Sequence, residues 1–210
     1  AAACILVRPI VGKGLGASAA RRITRGDLIA AERPTITWCD GSDADLTDSI
    51  QEQFGMLCPA MQEAVMSLHD VRASGGKKTL KGVVDSNSIG VHGRAVDGVV
   101  CTLLSRFNHS CVPNCEVSWD DEAGEAMVYA STDITAGEEL CFAYVDLLSP
   151  MAKRRQALWD AYHFRCNCVA CTQADVRSDA RRVRLRQLER DMGTLEPCEA
   201  ERGMQMATEA

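Results

Sequence analysis

Arg106-Phe107-Asn108-His109-Ser110-Cys111-Val112-Pro113-Asn114-Cys115 is the stretch on which the reading of this chain turns. It crowds an asparagine, an imidazole and two thiols between the apolar run Val99-Val100-Cys101-Thr102-Leu103-Leu104 and the strand-like run Glu116-Val117-Ser118-Trp119. Polar loops between apolar flanks are where binding and catalytic groups concentrate, because a rigid frame fixes them. Downstream, Cys166-Asn167-Cys168-Val169-Ala170-Cys171 sets three thiols in a C-x-C-x-x-C array. Three thiolates are one short of the tetrahedral set that a structural zinc ion takes. Cys111 and Cys115, both in the polar stretch, are the candidates for the fourth.

Composition bounds the rest. The chain has 210 residues, 46% of them apolar and 25% charged, enough to bury a core in one or two domains. No apolar run approaches the ~20 residues that span a bilayer. The opening Ala1-Ala2-Ala3-Cys4-Ile5-Leu6-Val7 lacks the basic start of a secretory signal. No membrane association is expected. A net charge of −6 argues against bulk nucleic-acid binding, which needs a basic face, and suits a basic protein or peptide partner. The eleven cysteines are odd in number and irregular in spacing, unlike a secreted disulfide framework. They point to a reducing compartment, with some thiols on metal. Cys4, Cys39, Cys58, Cys101, Cys141 and Cys198 read as buried apolar fillers.

Taken in order, Ile5 to Val11 reads as a strand and Gly12-Lys13-Gly14-Leu15-Gly16 as a glycine-rich turn. Gly26-Asp27 leads into a strand running to Ile36. Leu46-Thr47-Asp48 caps a helix through Ile50, Phe54 and Leu57, and Pro59 begins another through Val65 and Leu68, both at helical spacing. Val83 to Ile89 reads as extended, and residues 99–104 as a short buried helix or turn. Glu116–Trp119 and Ala126–Ala130 form a hairpin around Asp120-Asp121-Glu122-Ala123-Gly124. Leu140 to Tyr144 is a strand, Lys153 to Tyr162 a helix, and Asp175 to Met192 an arginine-rich amphipathic helix. Its arginines, Arg177, Arg181, Arg182, Arg184, Arg186 and Arg190, read as a solvated face.

Together these segments resemble the SET-domain lysine methyltransferases. The resemblance rests on Gly12-Lys13-Gly14-Leu15, the Arg106–Asn114 stretch, Ile134-Thr135-Ala136-Gly137-Glu138-Glu139-Leu140 with Tyr144, and Tyr162-His163-Phe164-Arg165-Cys166-Asn167-Cys168-Val169-Ala170-Cys171. It covers residues 5 to 172, and the pattern is nearest the SET-and-MYND branch through Tyr144-Val145-Asp146-Leu147-Leu148 and the Tyr-x-Phe-x-Cys ending. The resemblance implies an α+β SET fold of short strands in small sheets, with a helical insert at about 40–82. Residues 1–149 would form the SET domain, 150–172 a zinc-stapled post-SET segment, and 173–210 a C-terminal helix and tail.

It implies equally a site. Lys13, Gly14, Leu15, Asn87, Asn108, His109, Tyr144 and Phe164 would hold S-adenosylmethionine, and Tyr144 would be the catalytic tyrosine. Tyr162, Ile89 and Phe142 would line the channel for the substrate lysine. Cys111 would join Cys166, Cys168 and Cys171 on one structural zinc ion. The activity implied is methyl transfer to lysine in a histone or another protein, by a monomer in the nucleus or cytoplasm. The alternative is a SET fold without turnover that binds a protein or peptide. Two features of the branch are missing from the sequence: Thr35 to Asp85 lacks the Cys/His array of a MYND insert, and no long helical repeat domain follows the cysteines. Ile89 stands where the branch often has phenylalanine.

Overall fold

The computed structural model describes residues 4–39, 43–73, 75–91, 96–173 and 175–193. The strands are β1 (Ile5–Ile10), β2 (Gly14–Ala19), β3 (Leu28–Glu32), β4 (Ile36–Trp38), β5 (Ile89–Gly90), β6 (Gly98–Val100), β7 (Asn108–His109), β8 (Cys115–Asp120), β9 (Glu125–Ala130) and β10 (Cys141–Phe142). The helices are α1 (Asp43–Met56), α2 (Pro59–Met66), α3 (Leu80–Asn87), α4 (Met151–Tyr162), α5 (Val169–Thr172) and α6 (Val176–Gly193). The strands make four small sheets, ordered β1-β2, β10-β7, β3-β9-β8 and β4-β6-β5. The expected α+β architecture of short strands in small sheets is therefore present.

By contacts the chain divides into two compact units. The first takes in the described residues of Ala1–His109 and Pro113–Phe142, the second those of Ser110–Val112 and Ala143–Ala210. The polar motif is thus shared out, Asn108 and His109 to the first and Cys111 to the second.

In the first unit, alternation decides which face is buried. Along β9, Ala126, Val128 and Ala130 point into the core, with Glu125, Met127 and Tyr129 between them on the other face, the period of two that a half-buried strand requires. A second cluster gathers Ile36, Val65, Leu68, Val83, Val84 and Val100, with Ile50, Phe54 and Leu57 packed against it. The helices predicted around these last three and from Pro59 onward are both found.

Several expectations are corrected. The single strand to Ile36 is two strands in different sheets, broken beside Pro34, which has no N–H to give a ladder. Val83–Asn87 is not extended but lies in α3, whose N-cap Thr79 accepts from the Gly82 N–H at 3.0 Å. Capping of this kind favours helix over the strand preference of Val83 and Val84. Residues 98–100 form β6, and only Leu104–Arg106 makes a 3-10 turn. Gly14–Gly16 belongs to β2 rather than to the turn.

The second unit packs Cys111, Leu158, Cys166 and Cys171, with Tyr144, Val145, Leu147, Tyr162 and Phe164 around them. The amphipathic reading of α6 is corrected. Val176, Val183, Leu185 and Met192 are exposed and only Leu188 is buried, while Arg182 and Arg186, expected in solvent, bond the Leu147 carbonyl and the Asp146 carboxylate. Among the described residues no helix is long and apolar enough to cross a membrane. Cys4, Cys101 and Cys141 are buried as expected, Cys39 and Cys58 are exposed, and Cys198 lies outside the described residues.

Candidate functional site

In the first unit the site is built on two strand pairs. β1 and β2 form an antiparallel hairpin; Gly12 in its turn and Gly14 at the start of β2 both have φ 74°. A Cβ at either would meet nothing within 4 Å, so no side chain of the turn crowds the backbone there. Gly16, by contrast, is closed in: a Cβ there would fall 2.5 Å from Asn108 Nδ2 and 2.6 Å from Ile10 Cγ1.

Asn108 and His109 form β7, in parallel register with Cys141 and Phe142 of β10. This short ladder, not a loop, presents the Asn-His pair. His109 is buried and Asn108 half-buried. The Asn108 amide donates to Glu139 Oε1 at 2.9 Å, and Lys13 Nζ lies 2.6 Å from Glu139 Oε2. One carboxylate therefore joins the glycine turn to the Asn-His strand.

Asn114 braces the same region. Its Oδ1 accepts the Cys141 N–H at 2.9 Å, and its Nδ2 donates to the Glu139 carbonyl at 2.9 Å and to Glu138 Oε1 at 3.1 Å. Hydrogen bonds from Thr135, its N–H first, hold the Glu138 carboxyl below the usual carboxylate range. Burial pushes the Cys141 and Cys115 thiols up to about 12, so both remain protonated and neither is a nucleophile at neutral pH. Phe107 and Phe142 stack with centroids 5.9 Å apart, and Ile89 is buried in β5.

Asn87 ends α3, where its amide N–H groups donate to the carbonyls of His69 at 2.6 Å and Val83 at 2.7 Å. Carboxylate, ammonium and amide groups thus gather around Glu139, bonded to one another.

In the second unit the site is aromatic and sulfur-rich. Tyr144 and Tyr162 meet in a tilted pair at 4.9 Å, and Tyr162 and Phe164 at 6.3 Å. Burial raises the pKa of the Tyr162 phenol, so it stays neutral. His163, at φ 53°, closes α4 in the left-handed conformation and turns the chain toward the cysteines. The side-chain sulfurs of Cys111, Cys166, Cys168 and Cys171 all lie within 4.8 Å of one another, and Cys111 and Cys171 are 3.6 Å apart. A tetrahedral ion with metal–sulfur bonds of about 2.3 Å sets its sulfurs about 3.8 Å apart. The cluster can therefore hold a metal ion with little movement. Cys111, not Cys115, is the fourth member; Cys115 lies in β8 opposite Ala130.

Sequence reasoning missed three side chains. Glu139 stood in a quoted motif without a role, although two adjacent acids after a glycine turn were a signal. Asn114 also lay inside the motif. Arg154 lay in the helix read from Lys153 to Tyr162 without a role, and nothing in the sequence marked it as buried.

The architecture describes a known class. The sequence pattern of the SET domain matches residues 14–145, and the chain belongs to the SET-domain family. It is similar to Histone-lysine N-methyltransferase set5 of Schizosaccharomyces pombe, 32% identical over 193 residues, 90% of this chain and 58% of that protein. It is similar as well to N-lysine methyltransferase SMYD2 of Homo sapiens, 41% identical over 85 residues, 40% of this chain and 19% of that one. Histone-lysine N-methyltransferase SMYD3 of Mus musculus is 38% identical over 76 residues, 36% of this chain and 17% of that one. The chain thus spans little more than half the length of the yeast relative and under a fifth of the other two.

Proposed function

We propose that this chain is an S-adenosylmethionine-dependent protein-lysine methyltransferase. The observation that carries the reading is the Tyr144–Tyr162 pair, centroids 4.9 Å apart, in a chain of this family. In the first unit Lys13, Gly14, Leu15, Asn87, Asn108 and His109 hold the cofactor, and Ile89 and Phe142 face the substrate. In the second, Tyr144 and Phe164 contact the cofactor and Tyr162 lines the lysine channel. Cys111, Cys166, Cys168 and Cys171 hold one structural zinc ion; with four thiolates it has no open position and takes no part in the chemistry. A nuclear or cytoplasmic setting suits a cluster of reduced thiols of this kind.

The cofactor supplies a methyl group on a sulfonium sulfur. Transfer to an amine is an in-line displacement, so alignment matters, and orientation of this sort is worth about 7–11 kcal/mol of barrier. The amine must also be neutral, which near pH 7 costs about 4–5 kcal/mol for a lysine of ordinary pKa. In the first unit, apolar walls from Ile89 and Phe142 lower that cost by withholding water from the ammonium. The Tyr144 hydroxyl fixes the amine by a hydrogen bond, and Tyr162, kept neutral by burial, offers a second polar contact.

The test is radiolabelled methyl transfer to a panel of histones and other lysine-bearing proteins, with mass-spectrometric mapping of the product, on the unaltered chain and Tyr144→Phe. The substitution keeps the ring volume, so folding and cofactor affinity stay near those of the parent. The single-turnover rate falls at least about ten-fold, because the lost contact is made chiefly at the transition state. Equal rates in the two would remove Tyr144 from the mechanism. Absence of transfer to any protein, with cofactor bound, would leave the non-catalytic binding module.

A further inference from the structure

Arg154 is the most buried charged side chain among the described residues, 1% exposed. From α4 its Nε donates to Cys111 Sγ at 3.3 Å. Its Nη1 donates to the Ser149 carbonyl and lies 3.9 Å from Asp179 of α6. A guanidinium keeps its proton in any protein environment, so a buried one needs an anion against it. Asp179 is a poor one: it is partly exposed, and the same Oδ1 already accepts the Met151 N–H at 2.9 Å. What remains beside Arg154 is the sulfur cluster. Four thiols are neutral, whereas four thiolates around a divalent cation carry a net charge of −2. A loaded site would supply the counter-charge that Arg154 requires.

We infer that Arg154 is a positioning residue of the metal centre, holding Cys111 as a thiolate ligand through Nε–H···S and offsetting part of the residual negative charge. Its two other contacts give this a reach. Ser149 lies just before α4, and Asp179 caps the α4 N-terminus from α6. One side chain thereby links the metal ligand, the start of α4 and the docked arginine-rich helix. Lysine could keep the charge but not the fork, since only the planar guanidinium donates in these directions at once. The inference rests on the reading that the cluster holds zinc.

The test uses the full chain loaded with zinc, and measures the rate at which metal passes to a colorimetric chelator. Residues that orient metal ligands typically change affinity about 10–100-fold when replaced. Release should accelerate by at least about ten-fold in Arg154→Met and by less in Arg154→Lys, and should be unchanged in Arg177→Met, which alters an exposed arginine of α6. With cobalt in place of zinc, the thiolate-to-metal charge-transfer band should move to longer wavelength in both Arg154 variants, because a sulfur that loses its N–H donor yields electron density more readily. A role confined to packing would leave the band in place. In the unaltered chain, loaded with a spin-active cadmium isotope, the Arg154 Nε–H resonance should be split by the metal through the hydrogen bond. This measurement decides the matter even if neither variant folds. A parent chain that takes up no metal overturns the zinc reading itself. A metal-loaded Arg154→Lys with the parent's release rate and band, or an unsplit resonance in the parent, overturns the role of Arg154 alone.

Discussion

Asn108 and Cys111 belong to one motif, and opposite forces fix them. Asn108 sits on a strand pair whose hydrogen bonds the polypeptide makes for itself: its amide meets Glu139, Glu139 meets Lys13, and Asn114 ties the Glu139 backbone to β10. Each such bond adds only about 1 kcal/mol net, but several share the task, so the region is formed before any ligand arrives. Cys111 is held instead among sulfurs and a guanidinium: Cys171 Sγ lies 3.6 Å away and Arg154 Nε donates to the Cys111 sulfur at 3.3 Å. Its thiol is crowded by Cys166 and buried, both of which disfavour ionisation, and only a cation turns that crowding into attraction. One half of the motif is organised by amide and backbone hydrogen bonds, the other lies in a sulfur cluster that could hold a metal ion.

The sharpest way to break this contrast is to remove the ion. Chelation, or Cys168→Ser, should cost the second unit several kcal/mol, as loss of structural zinc does in small domains. Hydrogen exchange should show α4 to α6 losing protection while the β8–β9 hairpin, whose ladder needs no metal, keeps its own. Equal loss in both would mean that the contrast is false.

A smaller effect should come from the other side. Gly16→Ala forces a Cβ against the Asn108 amide and Ile10, an overpacking worth about 1–3 kcal/mol. Calorimetry should find cofactor binding weakened and zinc content unchanged; parent-like affinity would show that the Asn108 position is not critical.

The smallest effect is in pH. Glu138 has a folded pKa below its unfolded value of about 4.3. Its contribution is therefore complete above that value and disappears as pH falls through the lower, folded one. The Tm difference between parent and Glu138→Gln should be steady near neutrality and close up in acid. A difference independent of pH would assign the Asn114 brace to other groups.

How much of this could be read beforehand follows the same division. Cys166, Cys168 and Cys171 were legible because thiols at C-x-C-x-x-C spacing have few other uses, Cys111 came only from the family resemblance, and the hairpin was legible from alternation and a polar turn. What escaped was whatever depends on distant partners. β2 is mostly glycine, alanine and serine, residues of little strand preference, and becomes a strand only by pairing with β1. Val83 and Val84 looked extended because branched side chains favour strands, and the cap at Thr79 together with the apolar cluster of Ile36 and Val100 overrode that preference. In α6 the arginines looked solvated because Asp146 and the Leu147 carbonyl, some forty residues earlier, are invisible to a local window. Tyr144, Tyr162 and Phe164 were named from a motif, and their mutual packing needed the structure.

Cys111 and Cys171 are 60 residues apart along the chain, and that separation bears on biosynthesis. Closing so long a loop costs about 3–4 kcal/mol in chain entropy, so the last ligand to join the ion is the first to leave the ribosome. Cys166, Cys168 and Cys171 emerge together and can capture metal as a trio, with Cys111 added from behind. A fragment that began at Ala143 would stop at that trio. Three thiolates leave a coordination position for water, the arrangement found where zinc acts as a Lewis acid rather than as a staple. Cutting the chain before Ala143 would therefore turn an ion held inertly by four thiolates into a labile and reactive one.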